Sequence, residues 1–156
     1  MYRVFVYGTL KRGQPNHYVL ENIKYGKATF VGEAITEQKY PLIIASRSNL
    51  PFLLNVQGTG EKIIGEIYEV DENMMTYLDH FEDYPNLYDR LTIKVLLNNA
   101  LVECACYILS KYKAELLELP YLSNYDAYGA HGKQYLKEVD ESCDDYDDVL
   151  EKNSPS

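Results

Sequence analysis

Short apolar runs rich in β-branched and aromatic residues recur along this chain, and turn residues close nearly all of them. Residues 3–7, 28–35, 41–45, 62–71, 87–97 and 101–109 each read as a strand, because such side chains suit a pleated, half-buried surface. Residues 50–56 carry Pro51, which lacks a ladder donor and so fits an edge strand. Asn98-Asn99 joins the last two runs, and asparagine tolerates the positive φ of a tight hairpin turn. Gly65, inside its run, signals a bulge or a close backbone approach. Helical signals are sparse: short ones over residues 16–23 and 113–119, and a clear one after Asp71. Six or seven strands with so few helices predict an α+β fold, a mixed or antiparallel sheet curled into a small β-barrel.

At 156 residues the chain suffices for one domain with a real core. Its formal charge of −9 is uneven, since the last 24 residues hold 3 basic against 8 acidic ones. Residues 1–137 are expected to form the domain, and residues 138–156 an acidic, disordered tail too polar to bury much surface. No basic stripe offers itself to nucleic acid, and an acidic surface repels anionic membranes. The apolar runs are too short to span a bilayer, and the opening Met-Tyr-Arg does not read as a signal peptide. Cys104 and Cys106 alternate along a strand and share one face. With no second Cys or His pair to complete a zinc site, core thiols in a reducing compartment fit them better. The expectation is a cytosolic protein.

Two stretches carry chemistry. The first is the strand that breaks at Gly8 into a polar turn ending at Gly13. A strand stopping at glycine exposes backbone N–H groups that can hold an anion, although an ordinary loop has the same composition. The second follows Asp71, a good N-cap, where Met75, Leu78 and Phe81 mark an apolar helical stripe. Glu82 falls on or beside that inward face, whereas Asp79 and Asp83 are better placed for solvent. An inward carboxylate is costly while charged and alone, so it finds partners or holds a proton. Closing the helix end against the next loop is its plainer role. His17, His80 and His131 show no triad spacing, and Cys143 sits among acidic residues that would raise its pKa.

Five blocks carry a resemblance. They are V-F-V-Y-G-T-L-K-R-G-Q-P-N-H from Val4 to His17, P-L-I-I-A from Pro41 to Ala45, G-E-I-Y-E-V-D-E from Gly65 to Glu72, L-D-H-F-E from Leu78 to Glu82, and Y-D-A-Y-G-A-H-G from Tyr125 to Gly132. Together they resemble the γ-glutamylamine cyclotransferases, within the γ-glutamyl cyclotransferase-like superfamily. The resemblance implies a small mixed barrel flanked by helices, with Tyr7, Gly8, Thr9 and Leu10 binding a γ-glutamyl group and Glu82 as the catalytic acid/base. The implied reaction releases 5-oxoproline and a free amine from a γ-glutamylamine such as γ-glutamyl-ε-lysine, a remnant of transglutaminase cross-links. It needs no metal or organic cofactor, and the partner is that small substrate, with the protein expected to be a monomer. Tyr125 and Tyr128 are candidates for the pocket lining. The alternatives are a cyclotransferase for free γ-glutamyl amino acids or glutathione, and a non-catalytic γ-glutamyl-binding module.

Overall fold

The computed structural model describes residues 1–136 and 144–151. The chain runs through β1 (Tyr2–Val6), α1 (Tyr18–Glu21), β2 (Ala28–Tyr40), β3 (Leu42–Ala45), β4 (Leu50–Leu53), β5 (Glu61–Val70) and α2 (Glu72–Phe81). It continues with β6 (Asp89–Leu97), β7 (Ala100–Ile108), a 3₁₀ turn (Ala114–Glu118) and α3 (Asp144–Val149). Five strands close a barrel in the order β1-β5-β2-β6-β7, and β3 pairs with β4 in a separate two-stranded sheet. All barrel pairings are antiparallel except the closing one, where Val4 of β1 lies parallel to Ala105 of β7. The barrel is therefore mixed, one of the two arrangements the strand runs allow and the one the resemblance implies.

Side-chain alternation along the strands builds two cores. Phe5, Ala34, Ile63, Ile67, Ile93, Val95, Cys104 and Cys106 come from all five barrel strands and fill its interior. Their neighbours Val4, Val6, Tyr68, Val70 and Tyr107 face outward and pack with Met74, Met75 and Leu78 of α2. Because the period is two, β1, β5 and β7 each feed both cores at once. Cys104 and Cys106 are thus core thiols, and burial pushes the Cys104 thiol up to about 11 and Cys106 higher still.

Gly65 is a close approach and no bulge. It pairs in register with Ala34, and a Cβ there would lie 2.5 Å from both the Phe5 ring and the Val6 carbonyl oxygen. The β6–β7 hairpin turns through Asn98 and Asn99 at φ 49° and 66°. Asp71 caps α2 by accepting a 2.8 Å hydrogen bond from the Met74 amide, which removes one of the orphan donors of the first turn.

The tail departs from expectation over residues 144–151. Asp144–Val149 form a helix, and Val149 is fully buried. The Lys113 amide donates to the Val149 carbonyl at 2.8 Å, and the Glu151 amide to the Lys111 carbonyl at 3.1 Å. Arg47 grips Asp148 with bonds of 2.9 and 3.0 Å. Acidic composition does not prevent order when the carboxylates meet donors elsewhere in the chain. The remainder of the expected tail lies outside the described residues. Among the described residues, no helix is long and apolar enough to cross a membrane.

Candidate active site

β1 delivers Tyr7 to the barrel mouth, and the chain then turns sharply. The Lys11 amide donates to the Gly8 carbonyl at 3.1 Å, and the Asn16 amide to the Thr9 carbonyl at 2.8 Å. The Asn16 side chain also donates to Thr9 Oγ1 at 3.0 Å, and His17 Nδ1 lies 2.9 Å from the Leu10 carbonyl oxygen. Arg12 anchors the far side, donating from its amide and Nε to Glu66 at 2.9 and 3.1 Å. These bonds use the carbonyls of the turn. Among the described residues, no acceptor takes the N–H groups of Gly8, Thr9 or Leu10. Gly8 is needed for a steric reason, since a Cβ there would meet Pro51 Cγ at 2.8 Å.

Across from this turn stands the end of α2. Glu82 caps the helix with φ −87° and ψ 2°, its amide donating to the Leu78 carbonyl at 2.9 Å. The backbone closes the helix, and the side chain is left over. A cavity of about 730 Å³ contains both Glu82 and the whole Tyr7–Leu10 turn in its lining. Among the described residues, nothing hydrogen-bonds or pairs with the Glu82 carboxyl, and burial alone pushes its pKa from 4.5 up to about 8. The group is therefore mostly protonated in the empty site at neutral pH.

Phenols crowd the carboxyl without bonding it. Tyr7 donates to the Tyr107 carbonyl at 2.7 Å, Tyr88 to the Pro51 carbonyl at 3.1 Å, and Tyr107 to Asp79 Oδ1 at 2.7 Å. All three line the cavity. Burial pushes each of these phenols up, with the nearby Glu82 charge adding to the rise. They remain neutral donors committed elsewhere.

The structure brings Tyr7, Gly8, Thr9, Leu10 and Glu82 together, as the sequence blocks imply. It does not bring in Tyr125, which is fully buried in the barrel core away from the cavity lining. A tyrosine beside a glycine loop looks available in sequence, yet Lys11 Nζ donates to the Tyr125 carbonyl at 2.6 Å, and Tyr125 and Ala127 turn inward while their neighbours Asn124, Asp126 and Tyr128 stay exposed. Tyr128 lies exposed, beside a smaller cavity of about 160 Å³. Asp79 and Asp83 are not solvent residues either. Asp79 binds Tyr107 and Arg90, while Asp83 lines the cavity and accepts the Tyr146 hydroxyl. Tyr18, Tyr77 and Asp145 also line it and escaped the sequence reading. They carry no motif, so their spacing offers no signal.

Fold and site together define a small mixed-barrel protein whose cavity is lined by both a protonatable carboxyl and the Tyr7–Leu10 turn. The family model for gamma-glutamyl cyclotransferase, AIG2-like, matches residues 4–137. A Bos taurus gamma-glutamylaminecyclotransferase is 48% identical over 134 residues, covering 85% of this chain and 80% of that one. Its Rattus norvegicus namesake is 45% identical, covering 86% and 96%. The crystal structure of an AIG2-like protein from Mus musculus superposes with a TM-score of 0.87 at 43% identity, covering 90% of this chain and 99% of that one. The chain belongs to the gamma-glutamyl cyclotransferase, AIG2-like family.

Proposed function

We propose that this chain is a γ-glutamylamine cyclotransferase that converts γ-glutamyl-ε-lysine and related γ-glutamylamines to 5-oxoproline and the free amine. The observation that carries the reading is the half-buried Glu82 carboxyl, without a protein partner among the described residues, sharing one cavity with the Gly8–Leu10 turn. The substrate brings its own nucleophile. Its α-amine attacks the γ-carbonyl carbon, a C–N bond closes the five-membered ring, and the original amide C–N bond breaks. Intramolecular geometry supplies the proximity, so neither a water nucleophile nor a covalent enzyme intermediate is required.

Proton transfer remains for the protein. The α-ammonium must lose a proton before attack, and the departing amine must gain one. Glu82 performs both in sequence. A carboxyl lifted to about 8 lies nearer to the ammonium it must deprotonate than an ordinary carboxylate does. The bound ammonium in turn favours the ionised carboxylate, so arrival of the substrate readies the base. The free amides of the Tyr7–Leu10 turn hold the substrate carboxylate or the developing oxyanion.

One feature favours γ-glutamylamines over free γ-glutamyl amino acids and glutathione. Free γ-glutamyl amino acids place a carboxylate on the carbon beside the scissile nitrogen, and glutathione places an amide there with its carboxylate one residue on, whereas the described residues lining the cavity include no Lys or Arg to receive that charge. In γ-glutamyl-ε-lysine the second carboxylate lies several methylenes away. Such a substrate fits a cytosolic monomer acting on peptide remnants of transglutaminase cross-links. The test is 5-oxoproline release from γ-glutamyl-ε-lysine, γ-glutamyl-alanine and glutathione in parallel. The reading predicts turnover of the first by at least tenfold over the others, and the reverse order overturns it.

A further inference from the structure

The family match ends at residue 137, yet the cavity does not. Asp145 and Tyr146 of α3 line it together with Glu82, Ser48 and Asp83. Helix α3 is fixed there from several sides. Asp145, only 8% exposed, accepts from the Ser48 amide at 3.2 Å and from Ser48 Oγ at 2.9 Å. The Tyr146 hydroxyl donates to Asp83, the residue directly after Glu82. Arg47 holds Asp148 on the outer side, and Val149 is sunk into the core that also contains α2.

We infer that α3 is the amine-side wall of the substrate pocket and selects γ-glutamylamines whose leaving amine carries an additional positive charge. This rests on the γ-glutamylamine reading above. The γ-glutamyl end is assigned to the Tyr7–Leu10 turn, so the remaining wall faces the amine. Away from that turn the lining supplies carboxylates from Asp83 and Asp145, and tyrosine rings from Tyr77 and Tyr146. Neutral donors, Ser48 and Tyr146, bond to these carboxylates and leave their charge uncompensated by a lining Lys or Arg. An ammonium is attracted to carboxylates and to aromatic faces alike.

The test uses three ligands of matched length: γ-glutamyl-1,5-diaminopentane (cationic), γ-glutamyl-ε-lysine (zwitterionic on the amine side) and γ-glutamyl-pentylamine (neutral). Affinities are measured by calorimetry in a Glu82→Gln background, and kcat/KM values with Glu82 intact. The full chain is expected to bind in the order cationic, zwitterionic, neutral. Asp145→Asn should reduce the cationic-to-neutral ratio by about fivefold, as for loss of one partly screened charge. A chain ending at residue 137 should lose more of the ratio. If folded Asp145→Asn and truncated chains keep the ratio within twofold, or the full chain shows no preference, the inference is overturned. Should the truncated chain fail to fold, Asp145→Asn decides. A binding preference without 5-oxoproline release would overturn the activity and leave the wall assignment standing, whereas turnover with an unchanged ratio would do the opposite.

Discussion

The Tyr7 hydroxyl donates a 2.7 Å hydrogen bond to the Tyr107 carbonyl, joining the first residue of the binding turn to the last barrel strand beside Glu82. The bond spans 100 residues of sequence and is buried, so it fixes the turn relative to the carboxyl. Tyr7→Phe removes the hydroxyl donor and leaves the buried Tyr107 carbonyl only the weak Cys106 thiol contact. The expected cost is about 1–3 kcal/mol of stability, with KM raised because the turn is released. Denaturant unfolding and steady-state kinetics on the same preparation check both.

Glu82 should oppose folding at the pH where it works. Its folded pKa of about 8 exceeds the unfolded value of 4.5. Below pH 4.5 both states keep the proton, so nothing is lost. Between pH 4.5 and 8 the unfolded chain ionises while the folded site does not, and stability falls as pH rises through that window. Glu82→Gln removes the penalty and should be roughly 3 kcal/mol more stable than the parent chain at pH 7. Parallel denaturation series at pH 4 and pH 7 check this: the two proteins should match at the lower pH and diverge at the higher.

Gly65 and Gly8, both held by close neighbours, should fail differently. Gly65→Ala drives a Cβ into the Phe5 ring and the Val6 carbonyl inside the barrel, and about 1–3 kcal/mol is the usual cost of such overpacking. Gly8→Ala presses on Pro51 at the mouth. There the loss should appear mainly in activity, since both Gly8 and Pro51 line the cavity. Thermal melts compared with kcat/KM separate the two.

At the helix that carries Glu82, Asp71→Ala removes the bond to the Met74 amide. Losing an N-cap costs about 0.5–2 kcal/mol. The Arg47–Asp148 pair is partly exposed, with side chains 49% and 29% accessible, so Asp148→Ala should cost no more than about 1 kcal/mol. Unfolding curves on both variants check the ranking.

Local patterns made the barrel readable. Strand runs, the Asn98-Asn99 turn and the Asp71 cap all depend on neighbours in sequence, and each appears where its pattern lies. Glu82 was readable as an inward carboxyl because helical periodicity fixes a face. Asp79 and Asp83 were misread for a related reason: the stripe gives the face of α2 but not what packs beside it, here Tyr107, Arg90 and Tyr146. Order in α3 depends on Arg47 and Ser48, about a hundred residues away, which composition does not register. Tyr125 illustrates the converse, a loop tyrosine drawn into the core through its backbone contact with Lys11.

Under the proposed function, the half-buried Glu82 carboxyl moves the protons of the cyclisation. The most direct measurement is 5-oxoproline release from γ-glutamyl-ε-lysine by Glu82→Gln, with folding verified by circular dichroism and thermal melting. The variant is expected to fold, to be more stable than the parent chain, and to lose about 10²–10⁴-fold in kcat, the usual reach of general acid–base catalysis. A folded variant that retains kcat within a factor of a few would contradict that role.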